Sequence, residues 1–319
     1  MTKRNKLLFG YFAVMCALTF VRICFIESFF GDLSDIDSDR LFSTLAQVVC
    51  MGIIPLVVIT LTDKKKTFVS ISNRIGYRKI KWDSSIWIIL AICILHPIIN
   101  GGITTVWNYL IRATGYTPTV ADPERYVDFG AFLLGVFFSA VLPATFEELA
   151  HRSLALEMTR GSVTKRVVMQ AVLFALMHQN ITQTGYTFVG GLIFGALTVI
   201  TGSIFPAMLA HFINNLFVCI RIYSESIDGI VASCMEWIYS FCATWWGMAI
   251  ACVLWAGCVI GTIYLFKTLY KHYGQKITIP VDKESCKKSD NVLSTFLWIA
   301  IIVLGALTTL YSYIWGLMR

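Results

Sequence analysis

Residues 129–152 read FGAFLLGVFFSAVLPATFEELAHR, an apolar run from Phe129 to Ala144 that passes directly into Phe146-Glu147-Glu148-Leu149-Ala150-His151-Arg152. A run of this kind is a membrane helix, so two adjacent carboxylates and a guanidinium lie at bilayer depth. Each ionised group there costs about 2.5–3.5 kcal/mol on insertion scales. Such a cost calls for a compensating use.

Working outward, the same apolar character fills the whole chain. Of its 319 residues 57% are hydrophobic and 14% charged, and several segments exceed the roughly 18 apolar residues that mark a spanning helix. The expected fold is all-α, a polytopic transmembrane bundle of about eight or nine helices. Three parts are expected: N-terminal helices over 1–128, a core of about four helices over 129–223, and C-terminal helices over 224–319. The first helix is expected over Leu7 to Phe30, retained and not cleaved as a signal peptide. The fifth is expected over Val167 to about Gln179, and the sixth over Phe188 to Thr201, with Gly191 and Gly195 at the spacing that lets another helix approach closely. The apolar stretch Ile230 to Phe266 is long for one span and is read as an interfacial segment plus a helix. The ten cysteines form no CxxC pair and read as packing residues.

The net charge of +7 does not point to nucleic acid, because the basic residues sit in short loops between spans. Loops assigned to the cytoplasm hold 19 of the 26 Lys and Arg, against three (Arg40, Arg112, Arg125) in loops assigned outside. This bias predicts a multi-pass cell-membrane protein with its N-terminus in the cytoplasm. The bilayer is thus its first partner.

Five acids fall outside the loops: Glu27, Glu147, Glu148, Glu157 and Glu236. Glu27 and Glu157 lie near helix ends and can reach the interface, which leaves Glu147 and Glu148 as the deep pair. Glu147 is 13 residues before Arg160 and His178 is 13 residues after Lys165, so both lie roughly 20 Å along antiparallel neighbours. His211 and Asn215 share one face of the following helix at i, i+4 spacing. Groups from three helices therefore converge. Glu148 with Arg152, also i, i+4, reads as a structural ion pair that makes the burial tolerable, leaving Glu147 free to act. His96, beside Pro97, reads as structural and outside the cluster.

These residues carry a resemblance. Glu147-Glu148-x-x-x-Arg152, Phe174-x-x-x-His178 and His211-x-x-x-Asn215, in that order and with Gly191-x-x-x-Gly195 and Thr201-Gly202-Ser203 between, resemble the CPBP family of CAAX proteases and bacteriocin-processing enzymes, also called Abi. The resemblance covers about Phe129 to Tyr223. It implies an intramembrane endopeptidase, its site open toward the cytoplasm, that cleaves a peptide bond near the cytoplasmic membrane surface of a lipidated or amphipathic peptide. Carried over by position, Glu147 would activate the attacking water with help from His178, while His211 and Asn215 would stabilise the oxyanion. Glu148 and Arg152 complete the site set. A carboxylate base and donors preorganised toward a developing oxyanion are what amide hydrolysis requires.

Two positions depart from the family pattern, which commonly has Phe before the Arg and Gly after it: here they are His151 and Ser153. The added imidazole could tune the base or supply a metal ligand. His178, His211 and Glu147 could also form the three protein ligands of a catalytic Zn2+, although HExxH is absent, and zinc is read here as not obligatory. A non-catalytic immunity or regulatory protein of the same fold is the alternative. A proton-coupled transporter, which also buries acids and histidines, would be expected to show repeated halves, and the sequence has none.

Overall fold

The computed structural model describes residues 1–26, 35–118, 126, 128–273 and 292–318, without the side chains of 25, 26 and 35–39. Glu27 and much of the acidic and basic loop sequence, including Asp32, Glu124, Arg125, Lys276, Lys283 and Cys286, lie outside the described residues. Every regular element among the described residues is helical.

In chain order the helices are α1 (Lys3–Ile26), α2 (Arg40–Thr62), α3 (Phe68–Ile75), α4 (Ser85–Arg112), α5 (Phe129–Met158), α6 (Val163–Met177), α7 (Ile181–Thr201), α8 (Phe205–Ser226), α9 (Ile230–Cys242), α10 (Trp245–His272) and α11 (Val292–Leu317). Eight are long and apolar enough to cross a membrane, which makes this a multi-pass membrane protein. The chain marks the helix starts with side-chain caps: Asp128 accepts from Ala131 N at 2.7 Å, Ser162 from Lys165 N at 3.2 Å and Asn180 from Thr182 N at 3.0 Å. Gly202, at φ 69°, closes α7 in the left-handed conformation that glycine adopts without strain.

Two elements differ from expectation. α7 begins at Ile181 and not at Phe188, because Asn180 caps it a full two turns earlier. α6 has 15 residues, about 22 Å of helix and short of the roughly 20 residues that span a bilayer. The turn that follows it is consequently sunk into the bundle. Its backbone groups are satisfied by side chains from three helices: Arg22 Nη1 donates to the His178 carbonyl at 2.7 Å, Trp107 Nε1 to the Ile181 carbonyl at 2.7 Å, and Ile181 N to Ser312 Oγ at 2.9 Å. Non-helical backbone at membrane depth is tolerated when it is bonded in this way.

The bundle has two distinct ends. At one, Lys3 and Arg74 reach Glu157 at 3.0 and 2.7 Å, Ser203 Oγ donates to the Arg78 carbonyl at 2.7 Å, and His272 Nε2 meets Asp83 Oδ2 at 3.0 Å. This end gathers the basic loops. Glu157 is 3% exposed there, an acid at the last turn of α5 that is covered by its two cationic partners. At the other end Thr117 N donates to the Gly316 carbonyl at 2.8 Å and Tyr126 N to Ser226 Oγ at 3.1 Å. Lys3 and Gly316 therefore lie at opposite ends. α9 stays at the second end between α8 and α10, as the reading of Ile230 to Phe266 as a short segment plus a helix required.

Candidate active site

The site is built on α5, where π-helical turns over Phe137–Val141 and Leu149–Ala155 flank the α-helical segment Leu142–Glu148. π turns inside α-helices recur at functional sites because they re-aim side chains. Pro143 opens that segment. It lacks the N–H that an α-turn would send to the Ser139 carbonyl, and Asn215 Nδ2 on α8 donates to that carbonyl at 3.0 Å.

Glu148 and Arg152 are both fully buried and paired, Nε to Oε2 at 2.7 Å and Nη2 to Oε1 at 3.0 Å. Arg152 Nη1 also donates to Gln170 Oε1 on α6. Gln170 Nε2 in turn donates to the Gly191 carbonyl on α7 at 2.7 Å. The guanidinium lies over the rings of Phe174 and Phe194, 5.0 and 5.5 Å from their centroids. A planar, delocalised cation suits this stacking better than an ammonium.

Glu147, one residue earlier, faces a cavity of about 540 Å3. Its Oε1 accepts from Gln47 Nε2 at 2.6 Å. Its Oε2 lies 3.9 Å from His178 Nε2 and 4.0 Å from His211 Nε2. The hydrogen bonds on the far side of each ring fix the tautomers. His178 Nδ1 is 2.8 Å from the Phe174 carbonyl and His211 Nδ1 is 3.0 Å from Glu148 Oε1, and these oxygens can only accept. In its neutral form each ring turns a lone pair at Nε2 toward the Glu147 carboxylate. Three acceptors converge across gaps too long for a direct hydrogen bond and wide enough for a water molecule.

A metal would use the same three atoms. A tetrahedral zinc with bonds of about 2.0–2.2 Å brings its ligand atoms to roughly 3.3–3.5 Å from one another, closer than the 3.9 and 4.0 Å that separate Glu147 Oε2 from the two ring nitrogens. Among the described residues no group of His, Cys, Asp or Glu side chains is spaced to hold a metal ion. The donor types suit zinc, but their spacing does not.

Asn215 stands at the end of a chain of amides. Asn100 Nδ2 donates to Asn214 Oδ1, and Asn214 Nδ2 to Asn215 Oδ1, each at 3.0 Å. Because the Ser139 carbonyl can only accept, it sets the direction of the whole series and leaves Asn215 one free N–H.

All six sequence-predicted residues are brought together: Glu147, His178, His211 and Asn215 line the cavity, and Glu148 and Arg152 form the wall behind them. Gln47, Asn100 and Asn214 were missed. Each is an amide inside an apolar helix, and that signal was available. His96, set aside as structural, lines the same cavity, its ring edge-on to Phe194 with centroids 4.9 Å apart. His151 lies outside it. Its Nδ1 donates to the Glu147 carbonyl at 2.8 Å and its Nε2 accepts from the Tyr11 hydroxyl at 2.9 Å, so both nitrogens are used and the ring has no lone pair for a metal.

The cavity runs toward the end of the bundle opposite the basic loops. Two expectations, a site open to the cytoplasm and basic loops in the cytoplasm, therefore cannot both hold for this structure.

Residues 129–217 match the family model described as type II CAAX prenyl endopeptidase Rce1-like. Comparisons with curated proteins and with solved structures give no match. The matched segment holds the converging residues of α5 and α8 and His178 at the end of α6, and over that segment the chain is similar to the CPBP family of CAAX proteases.

Proposed function

We propose that the protein is an intramembrane endopeptidase in which Glu147 is the general base. The reading is carried by one observation: a buried carboxylate oxygen 3.9 and 4.0 Å from two imidazole lone pairs, at the wall of a cavity. A water held there sends one hydrogen to Glu147 and the other to His178 Nε2, with its own lone pair turned outward to a peptide carbonyl. As the C–O bond forms, Glu147 takes the proton and later delivers it to the leaving amine. Gln47 holds the carboxylate in place. The free N–H of Asn215 is the oxyanion donor. His211 can add a second donor only when its ring carries both protons, because its neutral form has Nδ1–H on Glu148.

The course proposed is metal-free, and the alternative is a non-catalytic immunity or regulatory protein. Membrane peptides that accumulate in cells carrying Glu147→Gln identify the substrate and then serve in vitro. Glu147→Gln should unfold at the wild-type temperature and lose about 10²–10⁴-fold in cleavage, the usual contribution of a positioned base. A folded variant with full activity sinks the enzyme reading. Stoichiometric zinc whose chelation abolishes cleavage overturns the metal-free course alone.

A further inference from the structure

We infer that the substrate enters from the end of the bundle opposite the basic loops, so that the peptide is presented at the non-cytoplasmic face of the membrane. The class of substrate rests on the endopeptidase reading. The access path does not.

Positions along the helices give the direction. At the deep end of the cavity, Glu147 is 11 residues from Met158, His211 six from Phe205 and Phe194 seven from Thr201, roughly 9–17 Å below the basic end at about 1.5 Å per residue. Between them and that end stand Arg152, Glu148, Gln170 and Ser203, all at 0% exposure. This is a closed floor. At the other extreme the lining includes Arg22, four residues from the end of α1, Phe42, two from the start of α2, and Gln183, two from the start of α7. The short α6 explains the shape: its turn at 178–181 is sunk below the ends of α4 and α11, to the level of Trp107 and Ser312, five residues inside each helix. A depression is thereby left above His178.

The end with the closed floor is the one that carries Lys3, Lys64, Arg78, Arg160 and Lys271. With 19 of 26 basic residues assigned to that side, the positive-inside rule puts it in the cytoplasm. The mouth of the cavity then faces outward. The substrate class this favours is an exported or outward-facing peptide, not a prenylated protein of the cytosol.

Two measurements test it on the full-length protein in intact cells. Short epitopes are inserted between Lys81 and Trp82, and between Thr114 and Gly115, and probed with antibody before and after permeabilisation. Gln183→Cys, with Phe42→Cys as a second position should the first fail to fold, is labelled with a membrane-impermeant maleimide against the wild-type cysteine background. We expect the 114–115 epitope and the introduced cysteine to react in intact cells, and the 81–82 epitope only after permeabilisation. An 81–82 epitope reached from outside, or a rim cysteine labelled only after permeabilisation, overturns the inference. Neither measurement uses cleavage. An inactive protein labelled from outside refutes the endopeptidase and leaves the path standing, whereas an active one labelled only from inside does the reverse.

Discussion

Two neighbouring carboxylates differ in surroundings because consecutive residues point about 100° apart on a helix. Glu148 turns into the bundle, where Arg152, His211, Gln170 and two aromatic rings close around the pair. Glu147 turns to the cavity. This division was legible in the sequence, since Glu148 and Arg152 are i, i+4 and Glu147 has no such cation. The role of His151 was not, because its partner Tyr11 lies 140 residues away and no spacing rule links them. The pair carries a prediction about stability. Arg152→Leu leaves a fully buried carboxylate without its main partner, and breaking such a pair costs about 3–5 kcal/mol. Thermal unfolding in detergent should fall accordingly, with Arg152→Lys recovering only part, since an ammonium cannot make the two-pronged bond and also reach Gln170. A loss under about 1 kcal/mol in Arg152→Leu would mean that Glu148 is neutral in the native protein.

At the scale of the helix, spans were readable from apolar length, but turns that depart from the α pattern were not. The π segments of α5 and the one over Leu45–Ile53 in α2 have no composition of their own, and α6 was read as one more span when its 15 residues end it inside the bundle. The small-xxx-small spacing was readable. A Cβ at Gly191 would stand 2.8 Å from the Ala171 Cα on α6, a backbone atom that cannot step aside. Pro143 links helix geometry to chemistry. Pro143→Ala supplies the missing N–H, which then competes with Asn215 for the Ser139 carbonyl. Relief of a helix-interior proline favours the fold, so the unfolding temperature should hold or rise. Cleavage should fall roughly tenfold, short of the ~10²–10³ lost with an oxyanion donor outright, and the loss should be in kcat with KM little changed. Full activity in a folded Pro143→Ala protein would detach Asn215 from the reaction.

At the scale of the molecule, the charge bias predicted which loops lie together, but not that Glu157 and Asp83 would tie that end through Lys3, Arg74 and His272. Only assembly could reveal that the cavity lies away from that end, because its direction depends on where a short helix stops. The basic end should also be the acid-sensitive one. Burial alone would raise the Asp63 carboxyl, but the Ser70 hydroxyl, the N–H groups of Lys66 and Lys65, and Arg74 outweigh it and hold the carboxyl below the usual carboxylate range. Asp83 is held low as well, by Ser85 and by His272. A carboxyl whose native pKa is depressed contributes stability that is present above its unfolded value, about 3.9, and is lost as pH falls through the native value. Ser70→Ala removes one hydrogen bond to the ionised form, worth about 1.5 kcal/mol at the low end for a charged acceptor. Unfolding of wild type and Ser70→Ala, followed from pH 6 downward in detergent, should differ by a constant amount until about pH 4 and converge below it. A difference that persists unchanged into acid would place the Ser70 bond on a neutral carboxyl, and the basic end would then owe its acid response to groups other than Asp63.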